Sequence, residues 1–153
     1  MSDFVIENGG TYNSGDNKTI FNGDGTAQRF TINGTISNNG LYDLVVAENA
    51  TLNTENNVTV RNNLLMESGC TLYDDGKTIT VNGNVDNSGT HFNSNSTAGS
   101  ITLASGAKHT INGDGNGSFN NLVISSATTT TLAANTTVTG QLRLTGNTTK
   151  LDI

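Results

Sequence analysis

The sequence predicts an all-β chain folded as a right-handed parallel β-helix (β-solenoid) of about six or seven coils. Three observations carry this. Thr, Asn and Gly dominate, with 25 Thr, 24 Asn and 18 Gly among 153 residues. Apolar and polar residues alternate only in short bursts. Those bursts recur along the chain in related but unequal copies.

Each residue type has a physical role in that pattern. Thr is β-branched and fits a pleated surface. Asn and Gly tolerate positive φ and so favour tight turns. Hydrophobic residues make up 33% and charged residues 13% of the chain. The first value is low for a compact globule, and the second is too low for a charge-driven disordered chain. No stretch carries apolar residues at i, i+3, i+4 and i+7 over a helix length, so α-helix is not expected.

The copies appear in order along the chain. Phe30–Gly40 aligns without a gap on Ile79–Gly89, with every apolar position matched and both glycines coincident. Phe21-Asn-Gly-Asp-Gly25 is repeated as Ile111-Asn-Gly-Asp-Gly115. Leu44, Val46, Val60, Leu64 and Met66 are echoed by Leu122, Ile124, Val138, Leu142 and Leu144. The three shifts disagree, so the chain is a family of related coils rather than a strict period. Alternation places Ile79, Val81, Val138, Leu142 and Leu144 inward and Thr78, Thr80, Thr139 and Arg143 outward.

Asn-Gly pairs at 33–34, 82–83, 112–113 and 116–117 also suit two-residue hairpins, which would give a meander or sandwich. A β-helix is preferred because each burst has too little apolar surface to stand alone. Stacking like on like builds one continuous core. The spacing of Ile32, Val60, Val81, Leu103 and Val138 suits coils of about 20 to 28 residues, and the stack they imply is about 30 Å tall. Residues 1–153 then form a single repeat domain. Asn33, Asn82 and Asn112 each follow an inward residue and precede Gly, and are expected to stack and satisfy amides from coil to coil.

Two segments resemble a motif of very large, repetitive, adhesin-like surface proteins of Bacteroidota. One is Ser118-Phe-Asn-Asn-Leu-Val-Ile124 with Thr131–Leu142; the other is Thr78–Phe92. The resemblance covers most of residues 19–153. It implies β-helix repeats, secretion by the type IX route and an extracellular, cell-surface location.

The repeats also bear on the chain's ends. Leu144 is followed by Thr145–Ile153, whereas the earlier copy continues from Met66 into the strand Thr78–Val81. Glu7–Tyr12 resembles the tail of a copy, compared with Asp86–Phe92. The expectation is a segment of a longer array or a subunit that stacks end to end, since open strand edges invite pairing. Met1–Val5 has no basic segment followed by an apolar one, so no signal peptide is read there.

Candidate sites are few. The net charge is −6, and the seven cations are scattered, so nucleic acid is a poor partner. No apolar run approaches the roughly 20 residues that span a bilayer, so membrane insertion is not expected. Cys70 reads as a small buried residue. The adjacent acids Asp74 and Asp75 read as turn chemistry, and His91 and His109 lack acidic or thiol partners at ligand spacing. No Gly-x-Ser-x-Gly occurs. Catalytic, cofactor-binding and metal residues are therefore all expected to be absent, and the chain is not expected to be an enzyme. The Asn112-Asp114-Asn116 turn has oxygens spaced as an EF-hand loop begins, but Val123 stands where the bidentate Glu should be. That turn and the Asp24 turn read as polar turns rather than calcium sites. Outward Thr-x-Thr at Thr78/Thr80 and Thr137/Thr139 could suit ice binding only if it recurred on nearly every coil.

The function expected is a structural or adhesive module, a stalk or a fibre-forming segment. Its partners would be a second copy or neighbouring repeats of the same chain. The alternative is a polysaccharide-binding β-helix, as in phage tails, using surface glycans as partners. It would draw on Tyr12, Tyr42, Tyr73, Phe92 and Phe119, which form no obvious stripe in the sequence.

Overall fold

A computed structural model describes residues 3–93, 98–105, 108–125 and 129–153. Every paired strand among them is parallel to its neighbour, so the hairpin alternatives do not occur and the chain is a β-solenoid. Three sheets run side by side along the stack. We call them faces A, B and C, in the order the chain visits them in each coil.

Face A has seven strands: Phe4–Ile6, Ala27–Ile32, Thr51–Thr54, Thr71–Tyr73, Thr90–Phe92, Ser118–Phe119 and Thr137–Val138. Face B has five: Val58–Val60, Thr78–Val81, Ser100–Leu103, Leu122–Ile124 and Leu142–Leu144. Face C has seven: Lys18–Phe21, Asp43–Val46, Leu64–Met66, Val85–Asn87, His109–Asn112, Thr129–Leu132 and Lys150–Asp152. In the first two coils a short pair, Thr11–Tyr12 with Thr35–Ile36, and a single 3-10 turn at Ser37–Asn39 occupy part of the path. Seven rungs at the usual inter-strand spacing make a stack of about 29 Å.

The coils vary in length, as the sequence predicts. Thr71 pairs with Thr90, 19 residues on, whereas Thr90 pairs with Ser118, 28 residues on. Part of that extra length lies in the corner between Asn112 and Ser118, where loop length costs little. Inward residues stack like on like. Leu44, Leu64, Val85 and Ile111 form one column, and Val60, Val81 and Leu103 another, all at most 1% exposed. They join one continuous cluster that runs from Ile6 to Ile124.

The sequence repeats do not mark coils. Phe30 lies on face A but its match Ile79 lies on face B, two coils and one side later. Leu44 lies on face C and its match Leu122 on face B. Only Phe21 and Ile111 share a face, and there the register is slipped by two residues. The reason is that each side of the prism is the same object, an in-out-in strand followed by a polar corner. Self-alignment therefore matches sides, not coils.

The predicted Asn stack is displaced for the same reason. Asn33 and Asn82 follow strands of faces A and B, and Asn112 ends a strand of face C, so they sit on three different sides of the stack. The ladder that does form precedes face C. Asp43 Oδ1 accepts the Asn63 N–H at 2.9 Å, Asn63 Oδ1 accepts the Asn84 N–H at 2.8 Å, and Asn84 Oδ1 accepts the Thr110 N–H at 2.8 Å. Each side-chain oxygen satisfies a backbone donor one rung up.

The corners leading from face C to face A show why Asn and Gly are frequent. Ala50 N–H bonds Ala47 O at 3.0 Å across Asn49, whose φ is 59°, and Cys70 N–H bonds Glu67 O at 3.2 Å across Gly69, at φ 71°. These left-handed positions tolerate only Gly or Asn cheaply. Directly after them Ala50, Cys70 and Gly89 form a column of small buried residues. A Cβ on Gly89 would collide with Cys70 Sγ. Burial first, then nearby Glu67, pushes the Cys70 thiol from 9.0 up to about 12. The folded state thus favours the thiol, and the stability it contributes is full below pH 9 and falls as pH rises toward about 12. A maleimide or disulfide reagent is accordingly expected to leave Cys70 unlabelled in the native chain at pH 8 and to label it fully in denaturant. Rapid native labelling would contradict the packing described.

The two ends of the stack differ. At the first rungs Phe4 stacks on Phe30 with centroids 5.2 Å apart, and Tyr12 meets Phe4 edge-on at 5.0 Å. Phe21 packs on Phe30 at 5.5 Å, and Ile6 and Phe21 are only 5% and 3% exposed. At the last rung Leu142 and Leu144 hold the inward register over Leu122 and Ile124 but are each 44% exposed. The sequence places both inward, and so does the pairing. They are open because no coil lies above them among the described residues.

Candidate functional site

The outer surface of face C carries a groove of about 470 Å³. Its floor and walls come from outward positions of five successive rungs. In register across the strands lie Ile20, outside the groove, and Val45, Leu65, Asp86 and Asn112, which line it. Outward positions elsewhere on the solenoid are mostly Thr, Asn and charged residues. Here three aliphatic side chains follow one another. Val45 is only 5% exposed yet stands outside the internal cluster, because Ile20 and Leu65 flank it on the surface. Ile20 itself is 55% exposed.

Beside this strip runs the ladder Asp43, Asn63, Asn84 and Thr110, all of which line the groove, with Lys18 in register below Asp43. Both carboxamide oxygens are bound to backbone N–H groups, which fixes the side chains and leaves each amide nitrogen available to a ligand. Asp43 also accepts the Asn62 amide at 2.8 Å.

The aromatic candidates separate into different settings. Phe119 is buried, Tyr12 belongs to the end cluster, and Tyr42 lies under the Arg61 guanidinium at 5.4 Å. Arg61 also donates to the carbonyls of Gly40 and Gly15, so it pins three coils together. Tyr73 and Phe92 meet as partners on adjacent rungs of the outer face A, edge-on at 5.4 Å. That pair was invisible in the sequence because nineteen residues separate its members.

Stacking also groups the threonines. Thr51, Thr71, Thr90, Ser118 and Thr137 form one outward column on face A, next to Asn53, Tyr73 and Phe92 rather than to a second hydroxyl column. On face B, Thr78 and Thr80 pair with Ser100 and Thr102, and the next rung brings Val123. The two-column hydroxyl patch is therefore short.

Asp74 and His91, taken as unrelated in the sequence, are brought together inside the stack. His91 Nε2 bonds Asp74 Oδ2 at 2.7 Å, and both side chains are fully buried. Asp74 Oδ1 accepts the Gly76 N–H at 2.9 Å, and His91 Nδ1 accepts the Asn120 N–H at 3.3 Å. Every polar atom of the pair is engaged and solvent cannot reach it, so its chemistry is structural.

The polar turns have ordinary turn geometry. Asp114 Oδ1 accepts the Asn116 N–H at 2.9 Å, and Oδ2 faces the Asn116 amide nitrogen at 3.2 Å, not its oxygen. Those hydrogen bonds, the backbone one first, hold the Asp114 carboxyl below its usual range. Thr26 does the same for Asp24, chiefly through its side chain. Among the described residues no group of three or more His, Cys, Asp or Glu could hold a metal ion, and no helix is long and apolar enough to cross a membrane.

Comparison with protein-family models, with curated proteins and with solved structures finds no match.

Proposed function

We propose that the chain is a structural module of an extracellular cell-surface protein, a rigid stalk or adhesin segment without catalytic activity, joined to further β-solenoid coils through its last rung. The observation that carries this reading is the open last rung of the stack. Leu142 and Leu144 continue the inward columns of face B and then stop, half-open to water. The strands Thr137–Val138, Leu142–Leu144 and Lys150–Asp152 each have a partner on one side only. Exposed leucines in core register beside unpaired strand edges are what a further coil would cover. The occupant is then a neighbouring repeat or a second copy, arriving head to tail. A head-to-tail contact of this kind does not close on itself and builds a rod.

The outer surface agrees with such a role. It is dominated by Thr, Asn and Ser, and its backbone amides are bound into the ladders. That combination gives length, stiffness and resistance to proteolysis without a reactive centre.

Antibodies raised against the purified chain are expected to label intact, unpermeabilised cells that make it. Labelling that appears only after lysis would overturn the extracellular placement.

A further inference from the structure

We propose that the groove on face C binds a neutral, unbranched oligosaccharide lying along the stack axis. The function proposed above needs only the end of the stack, so this site is independent of it.

Length comes first. The groove crosses five rungs, from Lys18 through Asp43 and Val45, Asn63 and Leu65, Asn84 and Asp86, to Thr110 and Asn112. That is a track of about 19 Å at the usual rung spacing. Its volume lies in the range of small-molecule sites, and its shape suits a chain rather than a compact ligand.

Two chemistries run in parallel along that track. The aliphatic side chains of Val45 and Leu65 offer an apolar bed. The amide nitrogens of Asn63 and Asn84 offer donors one rung apart, held in place because their oxygens are bound to the Asn84 and Thr110 N–H groups. A ligand that fits must show an apolar face and, along one edge, acceptors repeating at about that spacing. A pyranose chain does so, with its C–H face and its hydroxyl and ring oxygens. An extended peptide advances about 3.3 Å per residue and falls out of step with the rungs.

Charge selects among glycans. Lys18 stands at one end of the groove, and Asp43 and Asp86 stand within it. A polyanion would meet two carboxylates for one ammonium, and a polycation would meet the lysine at the mouth. A neutral chain meets neither conflict. Aspartate in the ladder also suggests a clean probe. At position 43 an Asp already accepts the next backbone N–H as the asparagines do. Asn63→Asp and Asn84→Asp therefore keep the ladder while turning each free donor into an acceptor.

The test is calorimetric titration of the whole chain with neutral β-1,4-linked gluco-, xylo- and manno-oligosaccharides of increasing length, with polygalacturonate as the anionic counterpart. The expected result is binding of at least one neutral series that strengthens up to about four sugars, the length of the track. N63D/N84D should stay folded, with a somewhat lower melting temperature from the stacked carboxylates, and weaken binding about tenfold or more, the cost of lost donors and added charge. Leu65→Lys, at a half-exposed outward position, should weaken it as well, whereas Thr80→Ala on face B should leave it unchanged. Binding of none of the neutral series, tighter binding of polygalacturonate, or equal affinity in wild type and N63D/N84D would each overturn the proposal.

Discussion

Asp74→Ala is expected to lower the stability of the chain by about 3–5 kcal/mol, the usual cost of removing one partner from a buried pair. The reasoning rests on where the pair sits. Asp74 lies within the stack directly after the face A strand Thr71–Tyr73, and His91 lies one rung above, with Leu72 and Phe119 in register below and above the imidazole. Without the carboxylate, His91 Nε2 faces a cavity with no acceptor, and the Gly76 N–H loses its partner. The approach to the next face B strand suffers too, because Gly99, just before Ser100–Leu103, packs against the carboxylate so closely that even a Cβ would collide with it. Asp74→Asn should cost less, since an amide oxygen can still accept from the ring. The check is urea unfolding of wild type, D74A and D74N, with the order of midpoints as the readout. Equal midpoints for D74A and wild type would mean that the pair contributes nothing to the stack.

Phe30→Ala is expected to cost about 3–5 kcal/mol, the range for deleting a buried phenyl ring, and to do so locally. Phe30 is fully buried and is the ring on which both Phe4 and Phe21 pack. Its removal takes away the centre of the aromatic cluster that packs the first rungs. In a solenoid each coil contacts only its neighbours, so the damage should not spread evenly. Hydrogen exchange should show strands Phe4–Ile6 and Lys18–Phe21 losing protection while Ile101–Leu103 and Leu122–Ile124 keep most of theirs. Uniform loss along the chain would show a cooperative unit larger than this packing implies.

The fold was legible because alternation and corner chemistry are local. Ile79-Thr80-Val81 announces an inward-outward-inward strand whatever its neighbours are, and Gly69 or Asn49 announces a corner. Register was not legible. The three faces use the same local pattern, so the likeness of Phe30–Gly40 to Ile79–Gly89 matched face A to face B. Everything that depends on register was therefore hidden or misplaced. The Asn ladder runs through Asp43, Asn63 and Asn84 rather than Asn33, Asn82 and Asn112. His91 finds Asp74 one coil away, although no ligand spacing links them. The column Ile20, Val45 and Leu65 is formed by residues that look like ordinary strand members, and only stacking sets them side by side on the outside. A coil length of 19 residues between Leu72 and His91 was the one clue that could have paired Asp74 with His91.

If the open last rung is a joining surface, the chain must associate through it, and concentration-dependent light scattering measures that association. The purified wild-type chain is expected to gain mass with concentration and to form unbranched rods under negative stain. Leu142→Lys/Leu144→Lys should stay monomeric, because those side chains hold the inward register that a next coil would cover and are already 44% exposed. A wild type that remains monomeric at every concentration, or a variant that associates as the wild type does, would contradict the claim.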